Sequence, residues 1–169
     1  MKKVDHHNTN SKDFIPIFKT PHMPIFIGSN KLKKYQTIGT FCLIPICFGL
    51  NMIDFLNFPE VICASLIGFG ITAGLHLVTM FLSNNLVVYV YISPDEQKCR
   101  MSYVSYWGDR AELYCDIEDI EPIKYSKLDL LNNKIKVNGN KRIFKIIINN
   151  DSIILNSSKL RKVLGSDLV

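Results

Sequence analysis

Two long stretches in the first half of the sequence contain no charged residue. The 169 residues include 20 Lys and Arg and 15 Asp and Glu, yet none of these lies in Tyr35–Ile53 or Val61–Leu82. As α-helices the two stretches would measure about 28 Å and about 33 Å, which is enough to cross a bilayer. The rest of the chain offers too little apolar surface to enclose two such helices in a soluble core. We therefore predict a two-helix transmembrane hairpin at about 35–55 and 61–82.

Basic residues are also absent from the short connector between these stretches, which holds only Asp54 and Glu60 as charges. Lys31, Lys33 and Lys34 precede the first stretch. Because Lys and Arg are enriched on the side where insertion starts, both termini are predicted to face one positive-inside compartment. A signal peptide is not expected, since the first stretch begins beyond residue 30 and no small-residue cleavage site accompanies it.

The sequence is poor in the patterns that carry chemistry. Its five cysteines form no C-x-x-C pair, and no histidine follows His76. Cys115 therefore has no imidazole base in the C-terminal part, and its acidic surroundings would raise the pKa of a thiol. His76 lies inside the second apolar stretch, where we interpret it as a neutral imidazole hydrogen-bonded at a helix interface. We expect no enzyme activity, no cofactor, no metal, no nucleic-acid partner and no small-molecule substrate.

Small residues recur in the second apolar stretch at spacings that suit close helix packing. Where lipid replaces water, small side chains let two helix backbones approach each other. We predict that these residues form the seam of the hairpin. They are Ala64, Gly68, Gly70 and Gly74.

Beyond residue 82 the pattern changes from helical to alternating. Leu86–Ile92 is rich in β-branched and aromatic residues, and the next segment, "KCRMSYVSY", alternates as a half-buried strand does. Further strands are predicted at "AELYC", around "DIEPIKY", and at "IKVNG", "RIFKIII" and "SIIL", before a closing helix "SSKLRKVLG". The fold class is thus α+β: a polar, flexible segment at 1–34, the helical hairpin at 35–82, and a small antiparallel β-domain at 83–169 that is pleckstrin-homology-like in its layout.

The single tryptophan stands in the stretch "YWGDRAELYCDIEDIEP", between two predicted strands. One reading is structural, with Trp107 in the β-core, Gly108 at a positive φ or a bulge, and Arg110 paired with carboxylates. The other reading makes Trp107, Arg110 and Tyr114 a docking surface, because Trp, Tyr and Arg most often anchor interfaces. Neighbouring carboxylates would then select a basic partner. They are Asp116, Glu118, Asp119 and Glu121.

This stretch resembles the transmembrane protein 186 family. Members of that family carry Trp-Gly, an arginine two residues after the glycine, Tyr-Cys, and an Asp followed three residues later by proline. The resemblance extends from about Lys31 to Ile123. Its motif positions in this chain are Trp107, Gly108, Arg110, Tyr114, Cys115, Asp119 and Pro122.

The resemblance implies a non-enzymatic assembly factor or scaffold for respiratory complex I. It further implies a multi-pass protein of the mitochondrial inner membrane with both termini in the matrix, whose partners are other complex I assembly factors and hydrophobic membrane-arm subunits. The N-terminus departs from this picture, since it lacks arginine and contains Asp5 and Asp13, unlike a typical cleaved presequence.

A second function fits the C-terminal charges. In it, the chain is a membrane-tethered lipid-binding or other protein-interaction module. Basic side chains would then meet anionic headgroups. They are Lys124, Lys127, Lys134, Lys136, Lys141 and Arg142.

Overall fold

A computed structural model describes residues 14–123, 133–148 and 153–165. They divide into two compact units. The helical unit comprises His22–Leu86 and Val104–Ala111, and the β unit comprises the other described residues. In chain order the elements are β1 (Ile15–Lys19), α1 (Met23–Met52), α2 (Phe58–Leu82), β2 (Leu86–Ile92), β3 (Lys98–Val104), β4 (Arg110–Asp116), a 3-10 turn (Ile117–Asp119), β5 (Asn133–Lys136), β6 (Ile143–Ile146), β7 (Ile153–Ile154) and α3 (Ser157–Leu164).

Helices α1 and α2 form an antiparallel pair joined by a five-residue connector. Asn57 and Glu60 make a capping box at the start of α2, in which the Asn57 N–H donates to Glu60 Oε2 at 2.9 Å. At the end of α1, the Asn51 amide donates to the Leu56 carbonyl at 2.8 Å. These local hydrogen bonds stabilise the reversal of chain direction between α1 and α2, which the short "DFLNFPE" connector predicts.

The seam between the helices is polar and follows a spacing of three or four residues. On α1 the buried seam positions are Asn30, Lys33, Thr40 and Cys47. Hydrogen bonds cross the seam from Asn30 Nδ2 to Ser83 Oγ (2.7 Å), between Thr37 Oγ1 and His76 Nε2 (2.9 Å), and between the Thr40 and Thr72 hydroxyls (2.8 Å). Such bonds between helices contribute about 0.6 kcal/mol each within a bilayer.

Of the four small residues predicted at the seam, Gly68 lies against the other helix in the structure. Gly68 is buried, and a Cβ added there would lie 3.4 Å from Thr40 Cγ2. Gly70 and Gly74 are exposed, with open space around an added Cβ, and Ala64 is half-buried. Because Gly70 lies two residues beyond Gly68, it points about 200° around the helix and cannot share its seam.

Among the described residues, one helix, α2, has the length and composition of a membrane span. Helix α1 begins at Met23 rather than near Tyr35, so it contains Lys31, Lys33 and Lys34 in addition to the apolar stretch. The structure therefore supports one candidate crossing, and the second crossing predicted at about 35–55 stays a prediction.

The β unit contains a seven-stranded sheet with the order β4-β3-β2-β1-β7, in which β6 pairs with β2 and β5. Its core is formed by side chains that alternate along the strands, including Val88 and Val90 of β2 and Met101 of β3. The α+β class and the antiparallel pairing at β1–β2, β1–β7 and β5–β6 agree with the sequence analysis. The pleckstrin-homology-like layout stays a prediction.

Three local predictions need correction. The segment predicted to be polar and flexible, 1–34, contains β1 and the start of α1 in its described part; β1 pairs with both β2 and β7. In the described part of the segment around "DIEPIKY", which ends at Ile123, a 3-10 turn and a single bridge from Ile120 to Val137 stand in place of the expected strand. The cap of α3 is Asn156, whose side chain accepts from the Lys159 N–H, rather than Ser157 or Ser158.

Candidate functional site: a buried lysine and two aromatic rings

Lys33 is the centre of a polar and aromatic cluster in the helical unit. Its side chain is fully buried, and its Nζ donates to Asn30 Oδ1 at 3.1 Å. The same Nζ lies 3.5 Å from the Tyr106 ring centroid and 5.6 Å from that of Trp107. The faces of aromatic rings attract cations, so the two rings substitute for part of the water that the ammonium has lost.

The pKa of the Lys33 amine reflects this burial. Lys33 lies two residues before the apolar stretch that begins at Tyr35, and burial lowers its pKa to about 8. The sequence analysis counts Lys33 among the basic residues that precede the first apolar stretch, and the structure places its side chain in a buried cluster. Lys31 and Lys34 are exposed, as such flanking charges should be.

Tyr106 links the cluster to the second helix. Its hydroxyl forms a hydrogen bond with His76 Nδ1, and His76 Nε2 is 2.9 Å from Thr37 Oγ1. The Trp107 ring meets the Tyr106 ring edge-on at 4.9 Å between centroids. This supports the interpretation of His76 as an imidazole hydrogen-bonded at a helix interface, since both of its ring nitrogens have a partner.

Gly108 brings the turn between β3 and β4 against α1. The Gly108 N–H donates to the Ser105 carbonyl at 3.0 Å, and the residue has φ of 88°. A Cβ at this position would lie 3.0 Å from Asn30 Cβ, the Ile27 carbonyl oxygen and the Lys31 nitrogen. Two requirements, a positive φ and a close backbone approach, therefore coincide at Gly108, and its predicted positive φ is confirmed.

Trp107 does not fill the β-core as the structural reading predicted. Its side chain belongs to the helical unit and is 40% exposed, while Tyr106 is 37% exposed. Each ring therefore uses one side to contact the cluster and presents the other outward. An exposed Trp and Tyr side by side are compatible with the docking reading, because such side chains anchor interfaces.

The other motif residues have separate surroundings. Arg110 is exposed in the helical unit, whereas Tyr114, Cys115, Asp119 and Pro122 belong to the β unit. The Tyr114 hydroxyl donates to Glu112 Oε2 at 3.0 Å, Cys115 Sγ donates to the Cys99 carbonyl at 3.9 Å, and Pro122 lies against Gly165. The seven motif residues therefore belong to two units, each with its own neighbours.

The thiols of Cys99 and Cys115 interact with each other in the β unit. Cys99 is fully buried, and its hydrogen bond with Cys115, together with burial, raises the pKa of the Cys99 thiol well above its usual value.

Among residues 14–123, 133–148 and 153–165, no group of three or more His, Cys, Asp or Glu side chains is placed to hold a metal ion. Of the basic residues predicted to meet lipid headgroups, Lys124 and Lys127 lie outside the described residues.

Comparison with known proteins supports the resemblance read from the motif. No protein family model matches the chain. Among curated proteins, the chain is similar to Transmembrane protein 186 of Drosophila melanogaster, with 25% identity over 123 residues. The matched part covers 72% of this chain and 59% of the relative. The similarity confirms the family resemblance and shows it to be a distant one.

Proposed function

We propose that this protein is a non-enzymatic, membrane-anchored scaffold that acts in the assembly of mitochondrial respiratory complex I. The observation that carries the proposal is the apolar helix α2 in a chain similar to a protein named Transmembrane protein 186. The family resemblance of the Trp107 motif supplies the respiratory-complex part of the proposal. The similarity covers a part of that relative, so the activity of the whole protein is proposed by analogy.

The membrane part of the proposal is supported by what α2 exposes. Only 11% of the apolar segment of α2 is buried, and Leu66, Ile67 and Phe69 are each more than 60% exposed. Side chains of this kind are stable in lipid and costly in water, at about 25 cal/mol for each Å² of apolar surface. We place α2 across the bilayer.

The apolar part of α1, from Tyr35 onward, is proposed to cross beside α2. Phe41 is 74% exposed and Ile46 is 56% exposed, while Thr37 and Thr40 face α2. Because Lys31 and Lys34 precede this part of α1, we propose from the positive-inside rule that both termini face the matrix.

The absence of enzyme activity is part of the proposal. Lys33 is the group with the most displaced pKa in the described helical unit. Its side chain is fully buried beside the Tyr106 and Trp107 rings, so no substrate reaches its amine. The exposed faces of Tyr106 and Trp107 suit contact with another protein. We propose other assembly factors and hydrophobic membrane-arm subunits of complex I as the partners.

Depletion of the protein from mitochondria tests this function. We expect the amount of assembled complex I on native gels to fall severalfold, with the other respiratory complexes unchanged, and to recover when the full chain is restored. A Leu66→Asp/Ile67→Asp variant should fail to restore it, because two carboxylates near the middle of a span cost several kcal/mol. Normal levels of complex I in depleted cells would contradict the proposal.

A further inference from the structure

The hairpin of β5 and β6 has one buried and one basic face. Lys134 lies opposite Lys145, and Lys136 lies opposite Ile143, so these four side chains share one face. The opposite face carries Ile135, Phe144 and Ile146, all of which are buried. We call the first the basic hairpin face and include in it Lys141, which is exposed at the end of the turn before β6.

The charge on this hairpin is of one sign. Residues 133–148 contain no Asp or Glu, and their bases are Lys134, Lys136, Lys141, Arg142 and Lys145. Lysines directly opposite each other on paired strands repel, which opposes folding. Burial, and then the charge on Lys134, lower the pKa of Lys145. Anionic groups that meet this face are attracted by several bases at once.

We infer that the basic hairpin face binds the anionic phospholipid headgroups of the bilayer that anchors the chain. The inference rests on the proposed membrane anchorage. Because β2 begins at Leu86 and α2 ends at Leu82, the covalent tether is short and the bilayer is present at high effective concentration. Each base near an anionic surface then contributes a favourable interaction that salt screens.

The composition of the face favours a bilayer over a nucleic acid. Ile143 is 45% exposed among the lysines, and an apolar side chain between bases suits insertion below the headgroups. Single-stranded nucleic acid is bound with aromatic side chains on which bases stack. The one aromatic side chain of the hairpin strands, Phe144, is buried on the opposite face.

Lysine footprinting of the reconstituted full chain tests the inference. The protein is placed in vesicles of phosphatidylcholine, or of phosphatidylcholine mixed with phosphatidylglycerol, and treated with a water-soluble amine-acylating reagent. We expect Lys134, Lys136 and Lys141 to label about fivefold more slowly in the anionic vesicles, the factor that corresponds to about 1 kcal/mol per base. High salt should remove the difference. Lys159 and Lys162 of α3, which pair with Glu96, serve as internal controls whose labelling should not change.

Paired variants separate binding from folding, with Lys141 as the readout. In Lys134→Glu/Lys136→Glu, the labelling of Lys141 should become independent of lipid composition, and the β unit should stay folded because the new carboxylate at 134 faces Lys145. Lys134→Arg/Lys136→Arg keeps the charge and should keep the protection of Lys141.

Vesicle flotation separates the two proposals. A chain that floats with the vesicles but labels equally in both lipid mixtures overturns the headgroup inference alone and leaves the face to a protein partner. A chain that does not float overturns the membrane anchorage, and the headgroup inference with it.

Discussion

Gly108→Ala is expected to lower the free energy of unfolding of the helical unit by about 3 kcal/mol or more. The substitution forces an L side chain to φ of 88° and places a methyl group 3.0 Å from a backbone carbonyl oxygen and a backbone nitrogen of α1. Neither atom belongs to a flexible side chain that could move away. Denaturant unfolding in mild detergent measures the effect through far-ultraviolet circular dichroism, which reports both units, and through the fluorescence of the chain's single tryptophan, Trp107.

Gly139→Ala is the matched control. Gly139 also has a positive φ, at 80°, but an added Cβ there would meet nothing within 4 Å. It should therefore cost about 1 kcal/mol, the backbone strain alone. The difference between the two variants isolates the contact between the turn and α1, and equal losses would contradict that contact.

Lys33 should make the stability of the protein rise with pH in the alkaline range. Its pKa is about 8 in the folded chain and near 10.5 in an unfolded one. Between these two values the unfolded chain holds a proton that the folded chain has released, so the free energy of unfolding increases with pH, by up to about 3 kcal/mol. Below pH 8 the Lys33 amine is charged in both the folded and the unfolded chain, so the free-energy cost of burying its charge does not change with pH.

Lys33→Met tests this assignment. The variant should lose the alkaline rise, because methionine has no proton to release, and at neutral pH it should be more stable than the original chain by a similar amount if the cavity accepts its thioether. Lys34→Met changes an exposed neighbour and should keep the rise. Urea unfolding at a series of pH values measures both, and an unchanged pH profile in Lys33→Met would show that the amine is hydrated in the folded state.

The elements with a clear local pattern could be predicted from the sequence. The bounds of β2 are those predicted, because β-branched and aromatic residues fill Leu86–Ile92 without interruption. Gly165 ends α3 at φ of 98°, as a glycine after the last helical turn commonly does. These signals are contained in consecutive residues, so no tertiary information is needed.

What the sequence did not predict depends on distant contacts. The strand β1 is short, contains Pro16, and exists because β2 and β7 pair with it on either side. The Lys33 cluster joins residues more than 70 positions apart, from Asn30 and Lys33 to Tyr106 and Trp107. One signal was available: Asn30, Lys33, Thr37 and Thr40 repeat at three and four residues, which is the spacing of a polar helix seam.

The division of the Trp107 motif between two units could not be anticipated either. Its residues are close in the chain, which suggested one site. Residue 111 ends the helical unit and residue 112 resumes the β unit, so Gly108 and Tyr114 have different neighbours although one strand carries the chain between them. The motif therefore combines a turn held against α1 with the packing of the sheet.

Extraction of native membranes with alkaline carbonate tests the central claim most directly, since it releases proteins that are held by charge and retains those that span lipid. The full chain should remain in the membrane pellet together with known integral proteins, because the outward side chains of α2 are stable only in an apolar environment. Recovery of the chain in the carbonate supernatant as a monomer that needs no detergent would contradict the account.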